Sequence, residues 1–178
     1  MSTLKAGLEN IDAAVYSAVI ASTGTPTTLS EVTPYLWISN HTSATNIPLL
    51  KQYGITTVIS VSQLDIRPDI LAQFRSQGIE CYRFPLVDVV QQPLIPIAPM
   101  IHTWLMDFVH PHPKPGKVLL NCTEGISRSC SVVLWHLITG YHMSYDQAFN
   151  YLKTKRPFIR PNHGFEQQLR QQAQTINA

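Results

Sequence analysis

The stretch KVLLNCTEGISRS, residues 117–129, followed by CSVVLWHLIT to residue 139, constrains the fold of this chain more than any other. Residues 117–120 form a short apolar run that reads as a buried strand, and residues 129–139 form an apolar run long enough for a buried helix. A strand that turns directly into a helix aims several unpaired backbone N–H groups at one point and adds the positive end of the helix dipole. Gly125 lies midway, where the backbone must turn tightly around a ligand. The turn is therefore an anion-binding loop that a phosphate would fit, and Cys122 sits inside it. The N–H groups, the dipole and Arg128 all favour thiolate over thiol there, and thiolate is the nucleophilic form. Thr123, Glu124, Gly125, Ile126, Ser127 and Arg128 supply the backbone donors. The planar guanidinium of Arg128 adds a fork for two phosphate oxygens.

At 178 residues and 44% hydrophobic composition, the chain is long enough for one core and short for two. A formal charge of +2 without any lysine or arginine cluster implies neither nucleic acid nor an anionic membrane as partner. Cys81, Cys122 and Cys130 make no spaced disulfide framework, which fits a reducing compartment, cytosol or nucleus. No apolar run approaches 18 residues, the start lacks the basic and apolar regions of a secretory signal, and Ser2 breaks the myristoylation pattern.

Leu4, Leu8, Ile11, Val15 and Val19 mark one face of an N-terminal helix, which packs on the domain or docks a partner or a second copy. A linker over residues 22–28 completes an extension of residues 1–28, ahead of one catalytic domain at 29–175. Strands are expected around Leu36 and Val58 and over residues 80–85, and a helix opened by prolines over 94–110. The two histidines of the loop HPHPKPG, residues 110–116, have no third ligand at a sensible spacing, so no metal is expected. Ser144 with Gln147 makes a capping box for a helix that Pro157 stops, and Asn162 caps the last helix. Cys130 and His136 read as helix packing, and Cys81 as strand packing, with a reversible disulfide to Cys122 as its alternative. The order of elements predicts an α/β fold, a central, mostly parallel sheet of four or five strands flanked by helices.

The loop resembles the signature of the cysteine-dependent protein tyrosine phosphatases, His-Cys, five residues, Arg, then Ser or Thr, and within them it looks most like the small atypical dual-specificity phosphatases. EVTPYLWISN, YGITTVISVS, ECYRFPLVDVVQQPL and SYDQAFNYLKTKRPFIRPNHGFEQQL extend the resemblance from about residue 31 to 170. It implies hydrolysis of phosphotyrosine and of phosphoserine or phosphothreonine in proteins through a phosphocysteine intermediate, with no metal or cofactor. Asp88 resembles the general acid and follows a strand expected to run beside the motif strand; Asp65 and Asp69 read as turn or helix-start residues. Ser129 would hydrogen-bond the sulfur and help it leave. Asn121 stands where the family has histidine, and Glu124 where alanine is usual. These departures imply a slow enzyme, or else a pseudophosphatase that binds phosphate as a scaffold. Phosphoinositide or RNA ends are disfavoured, because such substrates call for extra lysines in the loop. The chain is expected to be a monomer, or a weak homodimer through the N-terminal helix.

Overall fold

The structure is a computed structural model that describes residues 29–109 and 116–178. The expected N-terminal helix, its linker and the histidine-containing loop at 110–115 lie outside the described residues.

Among the described residues five strands form one sheet in the order β1-β2-β5-β3-β4: β1 Ser30–Glu31, β2 Leu36–Ser39, β3 Ile55–Ser60, β4 Glu80–Arg83 and β5 Lys117–Asn121. Only the β1–β2 pair is antiparallel. The mostly parallel α/β fold expected from the sequence is the fold observed. β5 occupies the centre because Val118, Leu119 and Leu120 are fully buried and need cover on both faces. Val118 and Leu120 face one apolar layer, Leu119 the other.

The seven helices among the described residues divide between these layers. On one face lie α1 His41–Ala44, α2 Ile47–Tyr53 and α3 Pro68–Ser76; on the other lie α4 Ile97–Val109, α5 Arg128–Tyr141, α6 Tyr145–Lys155 and α7 His163–Ile176. α5 is the hub of the second layer, with every residue from Ser129 to Ile138 buried against its neighbours. Burial of its Leu134, Leu137 and Ile138 is worth roughly 1.5–3 kcal/mol each. Both expected caps are present: Ser144 and Gln147 bond reciprocally, and the Asn162 side chain accepts from Phe165 N–H. α4 starts three residues later than its apolar pattern suggests; Ile95 precedes Pro96, and a residue before proline is disfavoured in the helical region.

One expectation needs correcting. The strand leading to Asp88 is β4, and it pairs with β3; β3 lies between it and the motif strand β5. The cause is polarity: Glu80, Tyr82 and Arg83 are exposed, so this strand takes an edge that the apolar β3 and β5 cannot. Cys81 packs with the layer opposite Cys122, and all three cysteines are free thiols. Among the described residues, no helix is long and apolar enough to cross a membrane.

Candidate active site

β5 ends at Asn121, α5 begins at Arg128, and the six residues between them form the loop at the C-terminal edge of the parallel strands, where ligands of open α/β sheets bind. What shapes the loop is the set of partners that its carbonyls find outside it. Thr123 O accepts from His41 N–H at 3.1 Å, Ile126 O from Arg160 N–H at 2.8 Å, and Ser127 O from Ser131 N–H at 2.8 Å. Gly125 O and Glu124 O accept from the guanidinium of Arg156, at 2.6 and 3.4 Å. In a planar trans peptide the following N–H points opposite to the carbonyl. With five successive carbonyls held outward, the N–H groups of Glu124, Gly125, Ile126, Ser127 and Arg128 converge on the inside. Gly125 makes this path possible: its φ is +68°, and a Cβ there would lie 2.5 Å from Arg156 Nη2 and 2.6 Å from Ser39 O.

Cys122 lies at the bottom of this nest, 1% exposed. Its sulfur accepts from Gly125 N–H and from the Ser129 hydroxyl, each at 3.2 Å. A sulfur that receives two donors is equipped to carry negative charge. Ser129 is the second residue of α5, so it serves the sulfur rather than capping the helix. Arg128 is bracketed by Thr123 Oγ1, which accepts from Nη2 at 2.7 Å, and by Leu86 O, 3.4 Å from Nη1. Thr123 Oγ1 in turn meets Ser62 Oγ at 3.1 Å, tying the loop to the end of β3.

Asp88 arrives over the end of the sheet from β4, by way of Phe84 N–H bonded to Ser60 O and of the buried Leu86. Its Oδ1 accepts from the Ser127 hydroxyl at 2.7 Å and from Asn162 Nδ2 at 2.9 Å. Asn162 N–H donates to Ser127 Oγ at 3.1 Å, which ties the two donors of the carboxylate oxygen to each other and closes the clamp. Oδ2, left out of the clamp, stands 3.7 Å from Arg128 Nε. Asp65 and Asp69 are elsewhere, paired with Arg83 and Arg67 on the surface.

Together these groups line a cleft of about 610 Å³ with Asp88, Cys122, Glu124 and Arg128 in its wall and Arg160, Pro161, Asn162, His163 and Glu166 along its rim. Glu124 is exposed at the mouth. Asn121 is fully buried, and neither end of its amide has a hydrogen-bond partner among the described residues. His136, expected to pack, is buried with Nδ1 3.0 Å from His102 Nδ1 and Nε2 2.8 Å from Tyr35 Oη. Burial and the neighbouring His102 push its pKa down to about 4.

Sequence reasoning missed Arg156 and the anchoring roles of Ser127 and Asn162. The signal for Arg156 was its place directly before the helix-stopping Pro157, in a segment otherwise buried at Leu152 and Ile159.

A nest of N–H groups around a sulfur, at the end of a parallel strand and the start of a buried helix, is an arrangement with the chemistry to hold an anion beside a thiol. Comparison with known proteins identifies the family. The family described as "Dual specificity phosphatase, catalytic domain" matches residues 36–175. Rat dual specificity protein phosphatase 18 is 37% identical over 145 residues, covering 79% of this chain and 65% of that protein; human dual specificity protein phosphatase 21 is 34% identical over 144 residues, covering 79% and 69%. Mouse serine/threonine/tyrosine-interacting protein is 31% identical, covering 80% of this chain and 63% of that protein. Among solved structures, a mouse putative dual specificity phosphatase complexed with zinc tungstate superposes with a TM-score of 0.72 at 28% identity, covering 95% of this chain and 94% of that one. The chain belongs to the dual-specificity protein phosphatases, enzymes whose substrates are phosphorylated proteins.

Proposed function

We propose that this protein hydrolyses phosphotyrosine and phosphoserine or phosphothreonine in proteins through a phosphocysteine intermediate. The observation that carries the reading is the outward carbonyl set of the loop, which turns five N–H groups inward over Cys122. The Cys122 thiolate attacks phosphorus in line with the ester bond, and the P–O bond breaks as Asp88 gives its proton to the departing oxygen. Oδ1 already accepts two donors, which leaves Oδ2, the oxygen facing Arg128, as the one able to pass the proton. The Arg128 guanidinium and the N–H groups of Glu124, Gly125, Ile126, Ser127 and Arg128 take up the charge on the phosphoryl oxygens. Water then attacks phosphorus, Asp88 accepts the water proton, and the P–S bond breaks. The Ser129 hydroxyl, already on the sulfur, stabilises the returning thiolate. The loop meets the charge of the dianion by itself, so the step needs neither metal nor cofactor.

The catalytic domain in this reading is residues 29–175, with residues 1–28 an extension, working as a monomer or weak homodimer in cytosol or nucleus. Asn121 makes the enzyme slow in acid, where a charged histidine would have helped to hold the thiolate. A scaffold with little turnover is the competing reading, motivated by the unpaired Asn121 amide and the exposed Glu124 at the mouth. Turnover of a small aryl phosphate by the purified protein against Cys122→Ser decides between them. The phosphatase reading requires loss of turnover in Cys122→Ser with vanadate or tungstate still bound; equal residual rates would leave the scaffold.

A further inference from the structure

Between α6 and the start of α7 a second groove of about 240 Å³ adjoins the cleft, and the two share Arg160, Pro161 and Glu166 as walls. Its floor is aromatic: the rings of Tyr145 and Phe149 stack at 5.7 Å with 23° between their planes. Arg170 lies over Tyr145 at 4.1 Å, but its charge is spent on Glu166 at 2.9 Å and Asp146 at 3.1 Å. Arg160 differs. Its exposed guanidinium makes no hydrogen bond or ion pair among the described residues, while its backbone N–H is fixed to Ile126 O of the phosphate loop at 2.8 Å. An uncommitted cation thus stands at a set position where the cleft opens into the groove.

We propose that this groove is a substrate subsite, which takes the polypeptide flanking the phosphorylated residue and binds an acidic side chain of it at Arg160. The inference rests on the reading that the cleft takes a phosphoresidue of a protein. A chain entering that cleft must leave along its rim, and the groove continues the rim without a break. The fork of Arg160 suits a carboxylate, and Pro161 and Phe149 line the same groove. One free cation suits a single carboxylate, whereas a polyphosphorylated ligand would need several.

The test is a set of phosphotyrosine peptides carrying a single Glu or Gln at each of the three positions on either side of the phosphoresidue. At one or more positions the kcat/KM ratio of Glu to Gln peptide should be about three to five, the size of a partly exposed ion pair. The ratio should fall to about one in Arg160→Gln, invert in Arg160→Glu and survive in part in Arg160→Lys, which separates charge from damage to the loop. No preference at any position, or a preference unchanged in Arg160→Gln, would overturn the subsite. Binding of the same peptides to Cys122→Ser by fluorescence polarisation keeps the two readings apart. An Arg160-dependent preference in Kd without wild-type turnover overturns the catalytic reading and leaves the subsite standing; no binding and no turnover of any peptide overturns both.

Discussion

Replacing Arg156 by methionine should cripple the phosphate loop from behind, although Arg156 does not line the cleft. The side chain is fully buried, and its guanidinium holds Gly125 O at 2.6 Å and Glu124 O at 3.4 Å, reaches Ser30 Oγ at 3.2 Å and lies 4.4 Å over the Phe158 ring. Losing a charged donor to such carbonyls costs about 1–3 kcal/mol each, and Gly125 O would keep only the weak Cys130 thiol at 3.4 Å. Methionine keeps contact with Phe158 and removes the desolvation cost of a buried cation, which offsets part of the loss. The net expectation is about 2–4 kcal/mol, or roughly 5–12 °C in Tm for a chain of this size. The same two peptide units carry Gly125 N–H, which reaches Cys122 Sγ, and Ile126 N–H, which points into the cleft. Complete loss of a preorganised donor costs roughly a hundredfold or more in kcat, so loosening two should lower kcat/KM about 10- to 100-fold. Arg156→Lys keeps the charge with fewer donors and should fall between. The assays are thermal melting, turnover of an aryl phosphate, and the pH profile of Cys122 alkylation by iodoacetamide. A variant Arg156→Met with wild-type Tm and kcat/KM would refute the claim that these outward carbonyls hold the loop.

Ser127→Ala removes the shorter of the two donors to Asp88 Oδ1 and should slow phosphoserine peptides roughly tenfold more than an activated aryl phosphate, whose leaving group needs no proton. An equal loss on both would detach Ser127 from Asp88. Gly125→Ala meets both a left-handed φ and backbone at Ser39 O, so it should destabilise the protein by at least about 2 kcal/mol in urea and remove most turnover. Wild-type behaviour there would mean that the loop path is not tight. His136, held neutral with its pKa pushed down to about 4, binds its proton more readily in the unfolded chain. Stability from this group is therefore complete above about pH 6.5, is lost as pH falls from there towards 4, and amounts to about 3 kcal/mol. Urea midpoints of wild type and His136→Gln should converge across that window, and parallel curves would show that His136 carries no such linkage.

How far this site was legible depends on the range of the interactions involved. The strand, the glycine, the cysteine and the arginine of residues 117–129 are contiguous, so the loop could be read before any tertiary contact was known. The Ser144 and Asn162 caps were legible because each bonds within three residues. The position of β4 was not, since its edge place follows from a competition among strands for the centre, decided by the burial of Val118, Leu119 and Leu120 in β5 and the exposure of Glu80, Tyr82 and Arg83. Ser127 looked like a loop hydroxyl, and only the meeting of three distant segments makes it the anchor of Asp88, 39 residues away. Asn121 shows the same limit at a single residue. Chemistry alone allows its amide a hydrogen bond like the histidine it replaces, yet the site is closed around it and both polar ends are unpaired. A buried amide without partners costs energy in the folded state. The loop nevertheless keeps its shape, because the bonds that set it come from His41, Arg156, Arg160 and Ser131, none of which involves Asn121. Under the proposed mechanism, loss of the family histidine would remove one influence on the sulfur while leaving the carbonyl scaffold intact, so this departure is expected to bear on rate and not on fold.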